Sequence, residues 1–233
     1  MQKTIWAGML ALAAFVGVSA GAGEARADWG LHNGDTLRGG DNMLYGEAGW
    51  PELVLGFQHG MSDKVDLGFR FAFIYGNEYT PHTLLGLGMR VPIRITPIRR
   101  DKFSFMFHID PGIKFDSFGH SNRCLRDIGP DPDCVLFGIT FPLGVDFGFH
   151  ITREATLSFG MEIPFYVNLT NGVYGAIPIL FGPAFEYHVD DHIALGLNTK
   201  FGPSIGAYTD AAGNVQNGVD FGFITSAFFG YRL

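Results

Sequence analysis

The stretch G-V-D-F-G-F-I-T-S-A-F-F-G-Y-R-L, residues 218–233, decides the fold. Every second residue back from its end gives Leu233, Tyr231, Phe229, Ala227, Thr225, Phe223, Phe221 and Val219, apolar but for one threonine and free of charge. The other set is Arg232, Gly230, Phe228, Ser226, Ile224, Gly222 and Asp220. A β-strand sends successive side chains to opposite faces, so one face here is oily and the other mixed and polar. A half-buried strand of a soluble protein reads the same way. The weight therefore falls on whether the rule repeats.

It repeats along most of the chain. Residues 65–75, 85–95, 103–115, 137–149, 157–167, 177–187 and 193–205 each put apolar side chains at odd positions. Residues 42–49 and 53–57 add a weaker pair at the start. The reading is ten strands, or eight if that first hairpin stays out of the wall. The connections S-D-K, R-R-D-K, T-R-E-A and D-D-H are short, and most of those between them are longer. From Val65 on, the oily parity holds no Asp, Glu, Lys or Arg. The opposite parity holds twelve: Asp66, Arg70, Arg90, Arg94, Asp110, Lys114, Asp146, Glu162, Glu186, Lys200, Asp220 and Arg232.

Turned inward, as in a soluble ligand-binding barrel, the oily parity would crowd several dozen large side chains, many of them Phe, into one lumen. A ring of eight to ten strands has no such room. Turned outward, that parity meets lipid, where a charge would cost roughly 2–4 kcal/mol near the midplane. Closure also satisfies the backbone where the solvent offers no hydrogen bonds. The expected fold is all-β: a closed antiparallel up-and-down transmembrane β-barrel. Seven prolines, at 92, 111, 142, 164, 178, 183 and 203, fall inside the expected strands without upsetting their parity. Each removes a ladder donor.

Composition agrees. The chain of 233 residues is 47% hydrophobic and only 17% charged, with 23 Phe and 33 Gly. Residues 1–27 read as a cleavable export signal: Lys3, an apolar run over 5–20, then Ala25-Arg26-Ala27. Its removal takes Lys3, Arg26 and Glu24, leaving 14 basic and 22 acidic side chains, a balance of −8 that argues against nucleic-acid binding. Residues 28–41 are polar and Gly-rich and read as a periplasmic lead-in to a barrel domain over 42–233. Cys124 and Cys134, in a long loop over 116–134, are expected to form a disulfide in an exported chain.

The segments H-G-M-S-D-K-V-D-L-G, at 59–68, and F-I-T-S-A-F-F-G-Y-R-L, at 223–233, resemble the small outer-membrane β-barrel proteins of Gram-negative bacteria. The resemblance implies an outer-membrane location, contact with outer-membrane lipid, and a terminal strand read by the barrel insertion machinery through Phe229, Tyr231 and Leu233. Members of that class usually end in Phe, and this chain ends in Leu. The class spans pores, anchors, adhesins and a few enzymes.

For function, the twelve lumen charges have two readings. One is a narrow porin-like path for small ions or solutes, with Arg70, Arg90 and Arg94 as a basic constriction. The other is a neutral, salt-bridged filling for a structural wall protein with exposed loops. A surface enzyme of protease or lipid-hydrolase type is the rival from another class. Its candidate pairs are His108 with Asp110, Asp146 with His150, and Glu186 with His188, but no such pair falls at the outer rim, so the expectation is not an enzyme. Asp127, Asp131 and Asp133 lack the spacing of a calcium loop. No nucleotide or zinc motif is present, and no cofactor is expected.

Overall fold

The structure, a computed structural model, describes residues 29–76, 85–117, 135–169, 174–209 and 215–233. The signal segment and both cysteines lie outside the described residues. The described residues form thirteen strands: β1 (Asn42–Trp50), β2 (Glu52–Ser62), β3 (Val65–Ile74), β4 (Leu85–Arg90), β5 (Ile93–Arg100), β6 (Phe103–Ile109), β7 (Gly112–Ser117), β8 (Val135–His150), β9 (Ala155–Asn168), β10 (Tyr174–Pro178), β11 (Leu180–His188), β12 (Ile193–Thr209) and β13 (Val215–Arg232). All pairings are antiparallel. β13 closes on β1, from Met43 opposite Arg232 to Trp50 opposite Thr225.

The thirteen strands make ten staves. β4 and β5 both pair with β3, while β7 and β6 both pair with β8. β10 and β11 both lie between β9 and β12. Each couple is one stave interrupted once. The interruptions fall at Val91-Pro92, at Asp110-Pro111 and after Pro178. The result is the closed ten-stranded antiparallel barrel that the alternation predicts, with the weak first hairpin built into the wall as β1 and β2.

All seven prolines of the expected strands but Pro183, which lies opposite Phe159, share a belt. Pro142 lies opposite Pro164. The β9 register, running from Ala176↔Tyr166 to Leu180↔Glu162, brings Pro178 opposite Pro164 in turn. Proline accepts but cannot donate. Accordingly Gly68 N–H donates to Pro92 O (2.9 Å), Val91 to Pro111 (2.9 Å), Asp110 to Pro142 (2.9 Å) and Ile179 to Pro203 (2.8 Å), with no bond in return. The ladder is thinned there but no residue is inserted, which is why parity survives. The register does shift at Ile95/Ile98, around Pro97, and at Gly60/Ser62.

The oily parity is outside. Phe141, Phe147, Phe159, Phe201, Phe223 and Phe229 are between 38% and 50% exposed, in a protein whose buried apolar core is small. Only hydrocarbon meets such a surface without aggregation. The chain is a transmembrane β-barrel of the outer-membrane type.

The stretch read as a lead-in runs inside the wall. Trp29, Asn33, Asp35, Thr36 and Leu37 are buried, at the end of the barrel that carries the short turns. Trp29 Nε1 donates to Asp191 O (3.2 Å) and Thr36 Oγ1 to Asp63 O (3.2 Å). Gly34, with φ of 84°, gives the segment a bend that L-residues adopt at a cost.

Replacing Phe141, halfway along β8, with arginine is expected to lower the free energy of folding into lipid vesicles by about 2–4 kcal/mol. Reversible urea titration measures this, and an unchanged midpoint would place that face away from lipid.

Candidate functional site

Strand alternation delivers the charged parity to the lumen, where the side chains form three clusters. In the first, Arg70 bridges Glu47 (2.6 Å) and Asp110 (3.2 Å) and comes within 3.8 Å of Glu52, which Arg90 also contacts. Arg70 and Arg90 are register partners on β3 and β4. In the second, Lys200 Nζ lies 3.3 Å from Asp146 and 3.2 Å from Glu162, and is 1% exposed. His108 Nε2 stands 3.5 Å from the same Asp146. In the third, Arg94 pairs with Asp66 at the short-turn end.

Glycine makes these clusters fit. A Cβ on Gly160 would lie 2.0 Å from Asp146 Oδ1, and one on Gly144 would lie 2.0 Å from His108 Nε2. The small residues of the charged parity are thus the floor on which neighbouring long side chains lie.

The other expected lumen charges divide. Lys114 sits over the Tyr166 ring, 3.7 Å from its centroid. Glu186 is buried and accepts from the N-terminal segment. Asp220 is exposed, on the part of β13 that outruns β1. Arg232 stands at the short-turn end, 3.6 Å from Asp41, with its guanidinium 5.7 Å from the Trp29 ring. Phe229, Tyr231 and Leu233 all face outward. The three arginines do not gather into a bare basic constriction, because Glu47, Glu52, Asp66 and Asp110 share them.

Several lumen groups escaped the sequence reading. Glu47 and Glu52 sit in the hairpin whose alternation is weak. Arg99 falls in the expected R-R-D-K turn after the fourth run, but the register shift around Pro97 returns it to the lumen, where its Nε donates to Asp35 (2.8 Å). The signal was there: apolar residues move from odd positions, Ile93 and Ile95, to the even Ile98. Burial pushes the Asp35 carboxyl up from the usual carboxylate range, and Arg99 and His150 oppose that rise.

The histidines take partners other than most of those expected. His108 faces Asp146, and His150 Nε2 lies 3.3 Å from Asp35 of the N-terminal segment. His188 does lie 3.2 Å from Glu186, and its ring stands edge-on to Trp29. His32 of the segment lies 3.3 Å from Glu47.

Beside the segment, the network leaves a cavity of about 80 Å³, bordered by Tyr45, Glu47, Gln58, Arg70, His108 and Asn198. The buried Gln58 amide and Asn198 Oδ1 have no hydrogen-bond partner among the described residues. That polar lining suits a few water molecules.

No protein-family model matches the chain, and no curated protein matches it. Among solved structures it is similar to an outer-membrane channel from Pseudomonas putida F1, at 8% identity and a TM-score of 0.44, over 88% of this chain and 100% of that one. It is also similar to the KdgM porin (9%, TM-score 0.36, over 82% and 98%). The outer membrane protease OmpT from Escherichia coli is a third (8%, TM-score 0.35, over 83% and 93%). Identities and scores this low say nothing of what this chain does.

A Cβ on Gly148 would lie 1.8 Å from Asn33 O, within the segment. Gly148→Ala is therefore expected to unseat residues 29–37 while the wall stays closed. Hydrogen exchange should then rise severalfold at those amides and stay unchanged in β8 and β9. Equal acceleration in both would mean the segment and the wall unfold together.

Proposed function

We propose that this protein is a narrow porin-like channel whose passage is shut, in the state described, by its own residues 29–39. One observation carries the reading. Among the described residues, the ring of staves closes without this segment, and the first backbone bonds tying it to the wall come at Gly40 and Asp41, to Gly60. Residues 29–39 are held by side chains alone, so their withdrawal breaks no ladder bond. The passage they would leave is lined by acids and bases in near balance. That suits slow passage of small ions or polar solutes rather than the wide aqueous flow of barrels with 16–18 strands.

The remaining parts of the proposal follow from export. Residues 1–27 act as the signal, Cys124 and Cys134 pair in the oxidising compartment, and the outward Phe229, Tyr231 and Leu233 present the terminal strand to the insertion machinery. The short-turn end, with both ends of the barrel domain, faces the periplasm, as in other barrels of this construction.

Planar-bilayer recording tests the channel. Native protein is expected to show brief, small openings, and Gly148→Ala an open fraction several times larger. Inserted protein that stays silent in both forms would leave a wall protein, not a channel.

A further inference from the structure

The wall holds the N-terminal segment mainly by its backbone. Arg94 Nη1 donates to Gly30 O (2.6 Å) and Leu31 O (3.2 Å). Glu186 Oε2 accepts from the N–H groups of Leu31 and His32, both at 3.1 Å. Ser158 donates to His32 O (2.6 Å), Ser104 to Asn33 O (3.0 Å) and Thr96 to Gly34 O (3.1 Å). Arg99 donates to Thr36 O, and both oxygens of Asp66 accept from Leu37 N (3.0 and 3.1 Å). Nine main-chain groups of residues 30–37 are thus met by side chains drawn from five strands, β3, β5, β6, β9 and β11.

Buried peptide groups must find partners somewhere. What is unusual is the source. A segment folded for good into a protein commonly uses its own turns or a neighbouring ladder. Here the partners are long and short polar side chains of the lumen, set at intervals that follow a main chain bent over residues 31–34. Side chains of the segment add to this hold: Trp29 lies against His188 and Leu37 is fully buried at the ends, while His32 reaches Glu47 and Asp35 reaches Arg99 and His150 between them. Gly148, whose bare Cα abuts Asn33 O, leaves room for a passing main chain that any side chain would fill.

We propose that the short-turn half of the lumen is a binding site for short peptides, gripped chiefly by their main chain, and that residues 30–37 occupy it as an internal substitute. A row of donors to six carbonyls, with carboxylates accepting from three N–H groups, matches groups that every peptide carries. It gives no comparable fit to sugars, which lack the fixed spacing of N–H and C=O groups, or to simple ions. The inference deepens the channel reading by naming its solute class, and rests on that reading only for the claim that a bound peptide passes through.

The test uses the full protein in detergent with tetra-alanine, which shares nothing with residues 29–37 but its main chain. Millimolar tetra-alanine is expected to speed hydrogen exchange of the amides over 31–37 severalfold, and trehalose at equal concentration to leave it unchanged. Trp29→Ala weakens the internal competitor and leaves the main-chain partners intact, so displacement should need about tenfold less peptide. Leu37→Ala is the second variant should the first fail to fold. No acceleration up to the solubility limit overturns the proposal. So does acceleration by trehalose as well, or displacement only by a peptide of sequence 29–37, which would make the seat specific to its own segment. Displacement in a protein that is silent in bilayers keeps the site and removes the channel; conductance without displacement does the reverse.

Discussion

A wall that faces hydrocarbon cannot carry charge at its middle, so the ionic side chains there, among the described residues, turn into a lumen of ten strands. Such a lumen is too narrow to hydrate them separately, and an isolated buried charge costs several kcal/mol or more. The side chains answer by sharing. Arg70 serves Glu47 and Asp110, and Lys200 serves Asp146 and Glu162. Removing one member of such a group strands the others, so the clusters hold together as units. Glycine on the same parity is the geometric counterpart, because long side chains from one stave lie over bare Cα atoms on the next.

The same shortage of space explains the N-terminal segment. At the short-turn end, Arg94, Glu186 and Asp66 have more hydrogen-bonding capacity than the wall alone uses. A polypeptide main chain supplies alternate donors and acceptors without bringing net charge, and it fits where a second layer of ion pairs would not. Trp29 and Leu37 fasten its two ends in apolar company, both within the buried cluster that holds Met43 and Phe228. Between them the hold is by side-chain hydrogen bonds and ion pairs, not by a ladder, so the segment can leave as one piece.

The belt of prolines sets a limit on the wall itself. In lipid each unmade backbone bond is costly, yet adjacent staves give up donors at one level. Antiparallel pairing tolerates this because Pro92, Pro111, Pro142 and Pro203 still accept from the neighbouring stave. No residue is added, so inward and outward faces keep their order past the gap. Around Pro97 the outcome differs: the register shifts, and Arg99 joins the lumen instead of the turn.

The alternation of oily and polar residues determined by itself that the chain forms a closed barrel with lipid outside, because a period of two and a charge-free parity admit no other stable arrangement. It also determined which charges from Asp66 to Lys200 point inward, since each strand's parity is a local property. Partners were beyond its reach. Whether Arg94 joins Arg70 or Asp66, and whether His108 meets Asp110 or Asp146, depends on the stagger between staves, which no single strand encodes. Glu47, Glu52 and Arg99 entered the lumen through a hairpin of weak periodicity and a shifted register, where local pattern fails. The place of residues 29–37 was least legible of all: a short polar segment satisfies its main chain equally well in water, and only the assembled ring of side chains offers it a better solvent.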